Sequence, residues 1–61
     1  MKLVVEIELG NDAMKYPNQV ATALIDVSRQ VRRSNVKAGE GRKILDGNGN
    51  GVGRWEFKDE A

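Results

Sequence analysis

Leu3, Val5, Ile7 and Leu9 alternate with Lys2, Val4, Glu6 and Glu8 at the start of the chain. A period of two rich in β-branched residues predicts a half-buried strand over about residues 2–9. Gly10-Asn11-Asp12 ends it. The connector Ala13-Met14-Lys15-Tyr16 is expected to tuck Met14 and Tyr16 against the core rim. Pro17 suits the first turn of a helix, where its missing N–H is not needed. From Val20 the period changes. Val20, Leu24, Val27 and Val31 follow at spacings of four, three and four, with Ala21, Ala23 and Ile25 alongside. That pattern predicts a helix over about residues 17–34, with Gln19, Asp26, Arg29, Gln30 and Arg33 largely off its apolar face. Ser34-Asn35 ends it, and "SNVKAGEG" reads as a mobile loop because of Gly39 and Gly41.

"RKILD" and "VGRWEF" flank the run "DGNGNG" and read as the two arms of a hairpin over about residues 42–57. Asn48-Gly49 is the preferred pair for a type I′ turn, which needs positive φ at both central residues. With that turn Asp46 faces Gly51, Leu45 faces Val52 and Ile44 faces Gly53. Ile44, Gly53, Trp55 and Phe57 then share the core face. The opposite face carries Val4, Leu45 and Val52, a candidate self-association patch. The tail "KDEA" is expected to fray. The order is β-α-β-β. A helix that returns the chain leaves the second strand parallel to the first and the third antiparallel to both. The third strand therefore belongs in the middle. The expectation is one α+β domain, a three-stranded antiparallel sheet covered on one face by one helix.

The chain has 61 residues and neither Cys nor His. Disulfides, thiolate metal ligands, the commonest zinc ligand and the commonest general base are all absent. A core of this size yields only about 3–5 kcal/mol of net stability, which makes association with itself or a partner an expectation. Glu6 and Glu8 interrupt the apolar start, unlike a signal peptide, and no run approaches the roughly 20 apolar residues of a membrane span. These features predict a soluble, cytoplasmic protein with no membrane contact. The net charge of +1 is uneven, because Arg29, Arg32, Arg33, Lys37, Arg42 and Lys43 gather against the single Glu40.

Three chemistries compete for these features. Asp46, Asn48, Asn50 and Gly51 match positions one, three, five and six of an EF-hand loop, but the twelfth position, which needs a bidentate Glu, is Phe57. No Gly-Lys-Ser/Thr follows to make a phosphate loop. The run therefore reads as a turn with no metal or cofactor. The basic segment 29–43 is a candidate binding surface, for the phosphates of DNA or RNA or for a protein, against the bland alternative of a solvated helix end. Trp55 and Phe57 read as core rather than as a base-stacking platform. Catalysis is not expected. Glu6 and Glu8 face water, and Ser28 and Ser34 have no His to activate them.

The strand "KLVVEIEL", the connector "NDAM", the helix "VATALIDVSRQVRR" and the ending "DGNGNGVGRWEF" together resemble a group of short uncharacterised proteins encoded by bacteriophages and other mobile elements. Many of these end in an N-G-N-x-V-G-x-W hairpin, matched here by Asn48-Gly49-Asn50-Gly51-Val52-Gly53-Arg54-Trp55. The likeness covers most of the chain, and only the hairpin is specific. Gly47 departs from it, where many such proteins carry an aliphatic residue. The resemblance brings no catalytic residue. It implies a setting in a bacterial host cell and a small protein acting by binding. The leading expectation is a non-enzymatic protein-binding module that modulates a host or defence factor. The competing one is a nucleic-acid-binding protein using segment 29–43, and the third is a self-associating accessory protein, a homodimer in its simplest form.

Overall fold

β-branched alternation does produce a strand at the start of the chain. The computed structural model, which describes residues 1–59, has β1 (Lys2–Ile7), α1 (Pro17–Arg32), β2 (Gly41–Leu45) and β3 (Gly51–Lys58). β1 is shorter than its hydrophobic pattern because Gly10, at φ +104°, turns the chain away and leaves Leu9 exposed. α1 begins at Pro17 and is held there by Gln19, whose Oε1 accepts the N–H groups of Lys15 (2.7 Å) and Tyr16 (3.0 Å). A Gln three residues past the N-cap reaching back to its N–H is the acceptor half of a capping box. At the other end the Arg33 N–H donates to the Gln30 carbonyl and the Ser34 N–H to the Val31 carbonyl, both at 3.1 Å, and the Ser34 hydroxyl also donates to Val31 at 2.8 Å. The helix therefore closes at Arg32, two residues before the expected end at Ser34.

The sheet order is β1-β3-β2, with both pairings antiparallel. The fold class is α+β, as the element order predicts. Leu3, Val5 and Ile7 lie opposite Phe57, Trp55 and Gly53. Ile44 also lies opposite Gly53. Gly53 has to be glycine, since a Cβ there would overlap the Glu6 carbonyl across the ladder.

The hairpin differs from a type I′ turn. Among the described residues none other than glycine has positive φ, and Gly49 alone in the turn reaches it, at +82°. The Gly49 N–H donates to the Asp46 carbonyl at 3.1 Å, and the Asp46 N–H to the Asn50 carbonyl at 2.9 Å. This is a three-residue loop, a type I turn over Asp46–Gly49 with Gly49 in the left-handed position. The longer loop shifts the pairing. Leu45 lies opposite Gly51, and Val52 becomes the extra residue of a β-bulge between that pair and Ile44–Gly53. A bulge carries its extra residue to the wrong side of the alternation. Val52 is accordingly buried with the core at 3% exposed. The expected patch of Val4, Leu45 and Val52 does not exist: Leu45 is exposed, Val4 half-buried, and Val52 on the other face.

Met14, Ala23, Val27, Ile44, Val52, Trp55 and Phe57 form the core, with Ile7, Val20 and Val31 against it. Met14 enters fully from the connector, whereas Tyr16 stays out in water. Trp55 and Phe57 meet edge to face, ring centroids 5.8 Å apart. The buried Trp55 indole donates to Gln30 Oε1 at 2.6 Å, so Gln30 ties the helix to the central strand rather than lying off the face. The helix lies nearest β2. The core-side residues of β1 are left partly open, with Leu3 43% and Val5 36% exposed.

The glycine-bearing loop after α1 is more bonded than expected. Gly39 N–H donates to Phe57, Phe57 N–H to Glu40, and Asn35 N–H to the Glu40 carboxylate at 3.1 Å. These bonds extend the sheet one step beyond β2. Lys58 still belongs to β3, and the end of the expected frayed tail, from residue 60, lies outside the described residues. Among the described residues no helix is long and apolar enough to cross a membrane.

Candidate binding surface

The helical repeat and the β2–β3 register bring part of the basic segment together. Arg29 and Arg33 stand one turn apart on the flank of α1 that faces β2. With Gln30 and with Arg42 from β2 they line a cleft at that junction. An adjoining depression of about 250 Å³ is lined by Asp26, Arg29, Gln30, Lys43, Ile44 and Leu45. The result is one shallow trough with Arg29, Arg33 and Arg42 along it and Leu45, 50% exposed, at one end. Lys43 borders it but sends its side chain across the other face of the sheet, over Gly51. Its volume is below the usual range of small-molecule pockets, roughly 300–1,000 Å³. Arg32 projects from a different flank and Lys37 sits in the following loop, and neither lines the trough. The candidate surface of six basic residues thus resolves into three that converge, Arg29, Arg33 and Arg42, and three that do not.

The electrostatics of the trough are largely unbalanced. Arg29 reaches Asp26 at 3.6 Å, a solvent-exposed pair one helix turn long. Such pairs contribute little, about 0–1 kcal/mol. Among the described residues Arg33, Arg42 and Lys43 have no carboxylate within ion-pair distance.

The run "DGNGNG" makes a different site, turned inward on its own backbone. Asp46 is nearly buried, at 9% exposed. Its Oδ1 accepts the N–H groups of Asn48 and Asn50, both at 2.9 Å, and its Oδ2 accepts the Asn11 side chain at 3.1 Å. The Asn50 N–H, with the Asn48 N–H and the Asn50 and Asn11 amides, holds this carboxyl below its ordinary range despite the opposing cost of burial. Asp46 therefore ties the turn to the connector after β1, a role its match to a calcium-loop position concealed. Among the described residues no three His, Cys, Asp or Glu side chains gather as a metal site. The hydroxyls of Ser28 and Ser34 donate to the helix carbonyls of Ile25 and Val31.

No family model matches the chain, and no curated protein or solved structure is significantly similar to it.

Proposed function

We propose that the chain is a non-enzymatic protein-binding module that grips an acidic surface of its partner, a host or defence factor in the bacterial cytoplasm, through the trough between α1 and β2. The observation that carries this reading is the convergence of Arg29, Arg33 and Arg42 near exposed Leu45. Cations bordering an apolar side chain suit a protein surface, where buried apolar contact supplies affinity and the charged rim supplies orientation and on-rate. A polyanion is the second reading, favoured by the three cations without carboxylate partners. The trough has no aromatic on which bases could stack, because Trp55 and Phe57 are buried and exposed Tyr16 stands at the opposite end of α1.

The test is affinity capture from nuclease-treated host lysate with the wild type and with the Arg29→Gln/Arg33→Gln/Arg42→Gln variant, followed by mass spectrometry. In parallel, duplex and single-stranded oligonucleotides are titrated at physiological salt. The expected result is a nuclease-resistant protein partner that the triple variant loses and Arg32→Gln keeps, with only weak nucleic-acid binding. A sub-micromolar, steeply salt-dependent nucleic-acid complex lost in the triple variant would establish the second reading instead.

A further inference from the structure

The opposite edge of the sheet carries a separate interaction surface. The Glu8 N–H donates to the Val52 carbonyl, while Phe57, on alternate backbone positions of β3, bonds Gly39 and Glu40 on the other side. Backbone groups alternate sides along an antiparallel ladder. Val4 and Glu6 therefore direct theirs to β3, and Leu3, Val5 and Ile7 direct theirs outward. β1 is an edge strand, guarded only by the charges of Lys2 and Glu6, with no Pro, no bulge and no inward charge. The β2 edge differs. Pairing it with itself about its centre would set Lys43 against Lys43.

We propose that two copies of this chain pair antiparallel through β1, in the register that sets Val4 opposite Val4. Outward backbone groups restrict the pairing to registers that place Leu3, Val5 and Ile7 opposite one another. With Val4 at the centre, Lys2 meets the partner's Glu6, Leu3 meets the partner's Val5, and each match occurs twice. Centring on Val5 would set Val4 against Glu6, and centring on Leu3 would set Lys2 against Val4. Only the Val4 register puts opposite charge on charge and apolar on apolar throughout. Within its own sheet Lys2 faces Lys58, a like charge, which the partner's carboxylate would balance. Paired residues point to the same face, so both helices lie on one side of a six-stranded sheet. Leu3 and Val5 of each copy then form one apolar row between the helices. It is bordered by Leu24, 46% exposed on the flank of α1 away from β2.

Sedimentation velocity across a concentration series, with circular dichroism to confirm folding, tests the pairing. The wild type is expected at twice the chain's 6.7 kDa. Lys2→Glu and Glu6→Lys each place two like-charged pairs in the seam, and each alone is expected to dimerise about tenfold more weakly or worse. Mixed in equal amounts they are expected to recover the dimer, because every seam charge is then complementary. Amide exchange keeps the test independent of the variants: Leu3 and Val5 N–H groups exchange slowly in a β1-paired wild type and freely in a monomer. A wild type that stays monomeric, assemblies larger than a dimer, a dimer indifferent to both substitutions, no recovery on mixing of the folded variants, or fast exchange at Leu3 and Val5 would each overturn the proposal.

Discussion

Asp46 holds its hairpin from inside the turn, and pH exposes that role. Its carboxyl is acidified in the folded state, first by the Asn50 N–H. A lowered folded pKa means the stabilisation is complete above the ordinary value of 3.8 and is lost as pH falls through the folded value. Asp46→Asn should lower the melting temperature at neutral pH, and the gap to wild type should close in that acid window. A gap unchanged by pH would show that the carboxylate charge contributes nothing. The next residues separate two turn types. Gly49 sits at φ +82°, whereas Asn48 has negative φ. Gly49→Val should therefore cost more than about 1 kcal/mol. Asn48→Ala should stay within about 0.5 kcal/mol in chemical denaturation. Equal losses at both positions would restore the type I′ assignment. Both turns were open to the sequence, since Asp at the first position and Gly at the fourth are the marks of a type I turn. Asn-Gly is the stronger local signal for a two-residue hairpin and masked it.

Helix and sheet are joined by a polar contact that periodicity does not reveal. The apolar face of α1 was partly legible from its spacing: Val27 and Ala23 are buried and Val20 and Val31 pack against the core, but Leu24 of that pattern is exposed on the flank away from β2. Gln30 lies at the border of that face, where hydrophobic pattern carries no information about a hydrogen bond to an indole 25 residues away. Gln30→Leu leaves the buried Trp55 N–H without its acceptor, a loss of about 1–3 kcal/mol. Gln30→Glu keeps an acceptor and should recover much of it, measured by urea unfolding. If Gln30→Leu matches wild type, the bond is dispensable. β3 shows the same limit of pattern reading. Trp55 and Phe57 face the core as alternation predicts, but one extra residue after the turn moves Val52 from the expected outer patch into the core. Three of the six basic residues converge because the helix docks on the β2 side, a tertiary fact invisible in a charge count.

At the scale of the whole molecule, the two long edges of one small sheet differ in chemistry. One displays Arg42 and Lys43 beside the helix arginines, and the other displays the outward backbone of β1. The strand order behind this has a consequence for how the molecule comes into being. In the sheet β1 and β2 are joined only through β3, and β3 is synthesised after both of them and after α1. Until Gly51–Lys58 leaves the ribosome, the first strand has nothing to pair with and Met14, Ala23 and Val27 have no Trp55 to cover them. At about 5–20 residues per second β3 follows β2 within seconds. Both strand pairings of the sheet involve β3 and form only after that moment. A stop codon or proteolytic cut ahead of Gly51 thus removes the whole structure rather than a part of it, and such a fragment should be cleared as an unfolded chain.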